Sequence, residues 1–385
     1  MRIQVVLNGL PNPTKTMTSK YIALIFLITL LSGCSGGGGD NGTGHAMPQP
    51  PAQGARILGL DIKEVPSVTY SVAYDQAMAL GVREVSVSLD WSLLEPSVGS
   101  YDNTLSATID TFYPMQTGDL TLVLRPLDTP GPSVPTELAG LAYDDPAVIE
   151  AFENFLANLH AQLPTLNASG KLRWIHVGNE IDSYLGNDAT RWAQWQRFFQ
   201  AAKAKINSLW GSNVEVSSII QFSTLSETNK RALYLNLLPE LDSAALTYYP
   251  LDFDFTMRPV STVATDFALM VNNIPGKAIL LQECGYPSSP VNNSSETLQA
   301  DFISAVFEAW DTHIDRIRLI DFTWQYDASS ATVDQWVIDY AMSGNPYEAA
   351  FRAYLGTLGL ANYDSTEKDA LQRLRDELQA RKWVK

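Results

Sequence analysis

The chain has 385 residues, 45% of them hydrophobic and 18% charged, with a formal net charge of −16. That length and apolar content suffice for one large core, and so acidic a balance excludes a basic nucleic-acid-binding face. It also disfavours a strongly anionic polymer as substrate, because the average surface would repel one.

At the N-terminus, Arg2, Lys15 and Lys20 precede the apolar run Tyr21 to Leu31. The run is too short to span a bilayer comfortably and reads as a targeting signal, with Met17 as an alternative start. It ends in Leu31-Ser32-Gly33-Cys34, which resembles the lipobox of bacterial lipoproteins. The resemblance implies that residues 1–33 are removed and that Cys34 becomes an acylated N-terminus. Ser35, in place of Asp, is similar to the outer-membrane sorting pattern. The expected location is the bacterial cell envelope, at the outer membrane, through the lipid on Cys34. Residues 34–54 are rich in Gly, Pro and polar residues and read as a flexible tether. Cys284 is the only other cysteine. With Cys34 lipidated it has no disulfide partner and is expected to be a small buried residue.

Residues 55–385 alternate short apolar runs with helical segments. Eight candidate strands lie near Arg56–Asp61, Glu84–Asp90, Leu120–Arg125, Leu172–Gly178, Val214–Ile220, Ala244–Tyr249, Ala278–Gln282 and Arg318–Phe322. Several are continuous apolar runs, as in parallel strands covered on both faces. Helical spacing recurs in Pro146–Leu163, Arg191–Trp210, Ser295–Trp310 and Pro346–Gly359. In the second of these, Trp192 and Trp195 read as core-facing, with a distal sugar platform as the alternative. A last helix is expected from Ser365–Thr366, with Asp369 completing a capping box. Eight such alternations fit a single α/β domain, a (β/α)8 TIM barrel. A doubly wound sheet is the alternative, but it would want a Gly-rich first turn, and Leu58-Gly59-Leu60-Asp61 supplies none.

In such barrels the chemistry sits at the C-terminal ends of the strands. Those ends carry Asp61, Asp90, Trp91, Arg125, Asp128, Asn179, Glu180, Tyr248, Tyr249, Glu283 and Trp324. Polar groups suit sugar hydroxyls, and flat rings suit pyranose faces. Two apolar runs end abruptly in a carboxylate, Trp174 to Glu180 and Ala278 to Glu283. The fourth and seventh strands lie across the barrel from each other, so these carboxyls can flank a glycosidic bond and break it. His45, His160 and His313 are scattered, and no H-E-x-x-H or C-x-x-C occurs, so neither metal nor other cofactor is implied. His176 reads as a barrel-core histidine.

Four strand ends resemble those of the clan A glycoside hydrolases, retaining enzymes built on this barrel. Gly178-Asn179-Glu180 is similar to the Asn-Glu acid/base motif of strand four. Glu283-Cys284-Gly285-Tyr286-Pro287 is similar to the strand-seven nucleophile motif seen in endo-β-1,4-galactanases and β-1,3-glucanases. Thr247-Tyr248-Tyr249-Pro250 resembles the galactanase strand-six motif, and Phe322-Thr323-Trp324 the strand-eight end. Strands two and three depart from the galactanase pattern. Trp91 with Glu95-Pro96 and Gly99-Ser100-Tyr101 is closer to other families of the clan. The resemblance is therefore to the clan more than to any one family.

The resemblance implies Glu180 as general acid/base, with its carboxyl protonated at first, and Glu283 as an ionised nucleophile. Asn179 would hold the sugar 2-hydroxyl. Tyr248 or Tyr249 would hydrogen-bond Glu283, with Tyr248 favoured. Trp324 would floor the cleavage subsite, unless it is plain core. Arg125 would orient Glu283, or pair structurally with Asp128. The function expected is a monomeric retaining hydrolase of a neutral β-linked glycan. A non-catalytic glycan-binding lipoprotein on the same barrel is the alternative.

Overall fold

The computed structural model describes residues 50–383. The expected signal segment, Cys34 and residues 35–49 of the tether lie outside the described residues. Where the description begins, the chain is already tied down. The enclosed Arg56 guanidinium donates to the carbonyls of Pro51, Ala52 and Gln53 at 3.2, 3.1 and 3.1 Å and pairs with Asp311 at 2.5 Å.

Eight staves follow in chain order: β1 (Ile57–Leu60), β2 (Glu84–Asp90), β3 (Asp119–Arg125), β4 (Leu172–Val177), β5, β6 (Ala244–Tyr248), β7 (Ile279–Cys284) and β8 (Ile317–Phe322). β5 is split into Glu215–Ser217 and Ile219–Gln221. Neighbouring staves pair in parallel, β1 with both β2 and β8. The first piece of β5 pairs with β4 and the second with β6. The sheet therefore closes on itself through one interrupted stave. Ser218 bridges the break: its hydroxyl donates to the Val177 carbonyl at 2.6 Å, and the next amide, of Ile219, reaches Gly178 at 3.2 Å. This is the (β/α)8 barrel that the alternation predicts.

The interior is layered. Trp174, Leu280 and Leu319 plug one end. Val123, Ile219 and Ala245 meet in an upper layer. Between lies a polar layer in which Glu84, Thr121, His176, Gln282 and Asp321 are all buried. Thr121 donates to Glu84, and His176 Nε2 lies 2.9 Å from Gln282 Oε1. Gly59 makes this layer possible. It stands in register with Glu84 on one side and Asp321 on the other. A Cβ there would lie 2.5 Å from Glu84 Oε2 and 2.8 Å from Asp321.

Outside the barrel, the expected helices form at Pro146–Ala161, Ala189–Trp210, Glu296–Thr312 and Glu348–Gly356. Asp145, Asp188 and Ser295 cap the first three by accepting from first-turn amides. Trp192 and Trp195 face the core, as read from their spacing. The expected capping box on the last helix does not form. That helix runs Asp369–Ala380 with no side-chain cap, because the Thr366 hydroxyl turns back to donate to Asp364 at 2.6 Å. A segment with two helices, Ser330–Asp339 and Glu348–Gly356, intervenes between β8 and this last helix. Lys368 pins its ends, with Nζ 2.7 Å from Asp327 and 3.0 Å from the Gly359 carbonyl.

Gly59→Ala is expected to destabilise the domain by about 1–3 kcal/mol, since neither flanking strand can retreat without breaking its pairing. A denaturant midpoint equal to the wild type would show that the polar layer is looser than this packing implies.

Candidate active site

Glu180 reaches its place through a sharp turn. β4 ends at Val177, and Gly178 follows at φ 82°. A Cβ on Gly178 would lie 2.5 Å from Ile181 and 2.6 Å from Trp195. Glu180 itself sits in the left-handed region, at φ 45° and ψ 44°, a conformation that costs a non-glycine residue free energy. Three donors converge on its carboxylate: Thr129 Oγ1 at 2.6 Å, Thr247 Oγ1 at 2.7 Å and Gln221 Nε2 at 3.0 Å.

Glu283 arrives by a different device. The pairing of β7 with β6 slips between Leu281 and Glu283. Such a bulge re-aims a side chain, and here Gln282 and Glu283 both line the cavity at the barrel mouth. That cavity also takes in Asp61, Ser86, Ser88 and Asn179. Tyr249 donates to Glu283 Oε2 at 2.6 Å. Thr247 stands in register with Glu283 and donates to Glu180, so one residue's width connects the two acids.

The preference for Tyr248 as the partner of Glu283 is overturned in favour of Tyr249. Alternation along β6 sends Ala245 inward and Thr247 to Glu180, so Tyr249 continues the inner face. Tyr248 belongs to the outer face. It is fully enclosed, its ring meets Phe222 and Phe267, and its hydroxyl donates to Asp266 at 2.9 Å. It is therefore no sugar contact.

Asn179 Nδ2 donates to Asp128 Oδ1 at 3.0 Å. Arg125 stands behind them, with Nε 2.8 Å from Asp90 and Nη1 3.5 Å from Asp128. The ion pair with Asp128, one of the two roles expected for Arg125, forms. Arg125 thus fixes Asp128, and Asp128 fixes Asn179. Trp91 is corrected more sharply. It is fully buried, packs against Phe152 and Phe155 and donates to Glu95 at 2.6 Å, so it braces the β2 turn and offers no sugar surface. Trp324 stands at the tip of β8 but is fully enclosed. Trp336 stacks on it with centroids 5.1 Å apart, and Lys63 Nζ lies 3.2 Å from its ring centroid. As placed, the ring offers no open face to a sugar.

Burial, and next the nearby Glu180 carboxylate, push Glu283 up to about 8. The sequence reading expects the opposite resting state, with Glu283 ionised. The reason for the difference is local: burial and then the Glu180 carboxylate oppose its ionisation, and the Tyr249 phenol offsets only part of that. Burial likewise raises Asp61 and lowers Lys63, which face each other beside Glu283. Burial lowers His176 to about 4, so it is a neutral partner of Gln282. Cys284 is buried and its thiol is pushed up by that burial, which suits a packing residue. Among the described residues no group of three or more His, Cys, Asp or Glu is arranged to hold a metal ion.

Sequence reasoning assigned no role to Thr129, Gln221, Thr247, Lys63 or Tyr340. Gln221 and Thr247 are visible in hindsight, since both lie on the inward face at strand ends. Lys63 and Tyr340 lie outside the strands, and nothing in their neighbours marks them. Burial raises the Tyr340 phenol well above its ordinary value, and the carboxylates of Asp128 and Glu180 raise it further.

A carboxyl raised on folding stabilises fully below its unfolded value and loses that contribution as pH rises through its folded value. Wild-type stability is therefore expected to fall relative to Glu283→Gln between about pH 4.5 and about pH 8. Urea midpoints for both chains at pH 5 and pH 8 measure this, and a difference independent of pH would show that Glu283 is not held protonated.

No family model matches the chain, and no curated protein matches it in sequence. Solved structures do match in fold. An exo-β-1,4-mannosidase, Op5Man5, from Opitutaceae bacterium strain TAV5 is 15% identical with a TM-score of 0.63; the match covers 84% of this chain and 59% of that one. This chain thus spans less than two thirds of that protein's length. GH5_18 from Streptomyces cattleya, in complex with GlcNAc, is 14% identical with a TM-score of 0.64, over 87% and 82% of the two chains. The GH53 catalytic domain of Ignisphaera aggregans is 16% identical with a TM-score of 0.54, over 78% and 87%. The chain has the fold of clan A glycoside hydrolases.

Proposed function

We propose that the protein is a retaining glycoside hydrolase acting on a neutral β-linked oligo- or polysaccharide. The observation that carries this reading is the pairing of Glu180 and Glu283 through Thr247 at one barrel mouth. The Glu180 carboxylate lies near enough to oppose ionisation of Glu283, as two acids that flank one bond would. The fold shared with an exo-β-1,4-mannosidase makes β-mannan an early substrate to test, and the likeness of Thr247–Pro250 and Glu283–Pro287 to galactanase motifs adds β-galactan. Cys34, as a lipid anchor, would hold the enzyme at the outer membrane.

In the mechanism, Glu180 gives its proton to the glycosidic oxygen as the bond from that oxygen to the anomeric carbon breaks. The Glu283 carboxylate attacks the same carbon from the other face and forms a glycosyl ester. Ionised Glu180 then takes a proton from water. The water oxygen bonds the anomeric carbon, the ester breaks, and the Glu283 carboxylate is restored. Retention requires carboxyls about 5–5.5 Å apart. Burial and the nearby Glu180 carboxylate oppose ionisation of Glu283, so for attack its proton must leave while Glu180 carries the one given to the leaving group. The positive charge that develops at the anomeric carbon favours an ionised Glu283. Asn179, fixed by Asp128, presents its amide to the 2-hydroxyl, and Tyr249 holds the attacking carboxylate in line.

Turnover is expected on a panel of aryl β-glycosides and soluble β-glycans. Glu283→Ala should abolish it, and Glu180→Gln should lower it by about 10²–10⁴-fold where the leaving group needs protonation. Azide should partly rescue Glu283→Gly and yield a glycosyl azide of inverted configuration. Binding across the panel without turnover would replace this reading with that of a glycan-binding protein.

A further inference from the structure

Phe253 is 81% exposed, more than any other large apolar side chain among the described residues. It stands on the loop after β6, at the same end of the barrel as Glu180 and Glu283. That loop is rigid. Leu251 bridges Met257, Asp254 accepts from the Thr256 amide at 3.0 Å and its hydroxyl at 2.6 Å, and Asn292 Nδ2 clamps the Phe255 carbonyl at 2.7 Å. A firm turn therefore holds a large ring out in water, where apolar surface is unfavourable.

The ring does not stand alone. Tyr347, 39% exposed, meets Phe253 edge to face, with centroids 5.6 Å apart and planes at 87°. Tyr347 precedes the helix Glu348–Gly356, whose Phe351 and Tyr354 face Phe255 at 5.2 and 6.0 Å. Tyr354 in turn meets Tyr249 at 5.6 Å, and Tyr249 bonds Glu283. A file of rings thus runs from the proposed nucleophile through Tyr249 and Tyr354 to Phe255 and Phe351, and the Phe253–Tyr347 pair stands beyond it, at the start of the same helix.

We infer that Phe253 and Tyr347 form a distal platform for the same glycan chain whose bond is cut between Glu180 and Glu283. The inference rests on the hydrolase reading and adds that the substrate extends well beyond the cleaved bond. A pyranose stacks its C–H face on an aromatic ring, and the exposed Asp252 carboxylate beside Phe253 offers an acceptor for sugar hydroxyls. The neighbouring acids Asp252, Asp254 and Glu348 oppose an anionic lipid surface or an acidic polymer.

The test compares wild type, Phe253→Ala, Tyr347→Ala and Phe253→Trp, using native gels cast with soluble β-1,4-mannan, β-1,4-galactan or β-1,3-glucan. Phe253→Ala removes an exposed ring and opens no core cavity, and melting curves check folding. At least one polymer should retard the wild type, and each alanine variant should weaken that retardation about three- to tenfold, the range for one aromatic contact. Phe253→Trp should restore it. Turnover of polymer relative to a short aryl glycoside should fall by the same factor in Phe253→Ala. An active enzyme whose polymer retardation ignores Phe253 overturns the platform and leaves the hydrolase reading standing. Phe253-dependent retardation without turnover of any substrate overturns the hydrolase reading instead. A Phe253-dependent dimer in light scattering, or Phe253-dependent binding to phosphatidylcholine vesicles, overturns the platform in favour of a different occupant.

Discussion

Two carboxyls forced together in a poorly solvated site repel each other when both are charged, and the site depends on that constraint. Thr247 is the hinge of the arrangement. Its backbone lies in register with Glu283 and its hydroxyl serves Glu180, so neither acid can shift without disturbing β6. The nearness of Glu180 therefore opposes ionisation of Glu283. The donors are divided unevenly, with three on Glu180 and the Tyr249 phenol on Glu283. Burial, and next the nearby Glu180 carboxylate, raise Glu283, and the Tyr249 hydrogen bond works against them.

The fold accepts local costs to hold this geometry. Glu180 occupies a left-handed backbone conformation behind a glycine with no room for a side chain. β7 slips by one register position just before Glu283. β5 is broken, with its two halves stitched to different neighbours. Below the site, glycine at position 59 lets Glu84 and Asp321 share one interior layer, where a larger residue would force the strands apart. Such departures from regular structure, gathered near one barrel mouth, are what a site requiring fixed atoms leaves in a scaffold.

Much of this was legible from residues alone. Apolar runs located every stave, and the abrupt ends at Glu180 and Glu283 pointed to two carboxylates that the fold brings to one barrel mouth. What failed was orientation. Tyr248 and Tyr249 are adjacent, and a single step of register decides which one meets Glu283; counting inward from Ala245 would have chosen correctly. Trp91 and Trp324 lie at strand tips, where indoles can floor a sugar site, but each is closed in by residues distant in sequence: Phe152 and Phe155 for one, Trp336 and Lys63 for the other. No local pattern forecasts such closure. The same holds for Tyr340 and the ring file through Tyr354, which depend on how the segment after β8 folds back over the barrel.

The central claim is that Glu283 bonds covalently to the sugar while Glu180 manages the proton. Mass spectrometry of enzyme quenched during turnover of an activated, slowly hydrolysed glycoside tests this most directly. The expected result is a mass increase of one glycosyl unit on the peptide containing Glu283, absent in Glu283→Gln. An adduct on Glu180, or a first-formed product of inverted configuration with no adduct at all, would contradict the account.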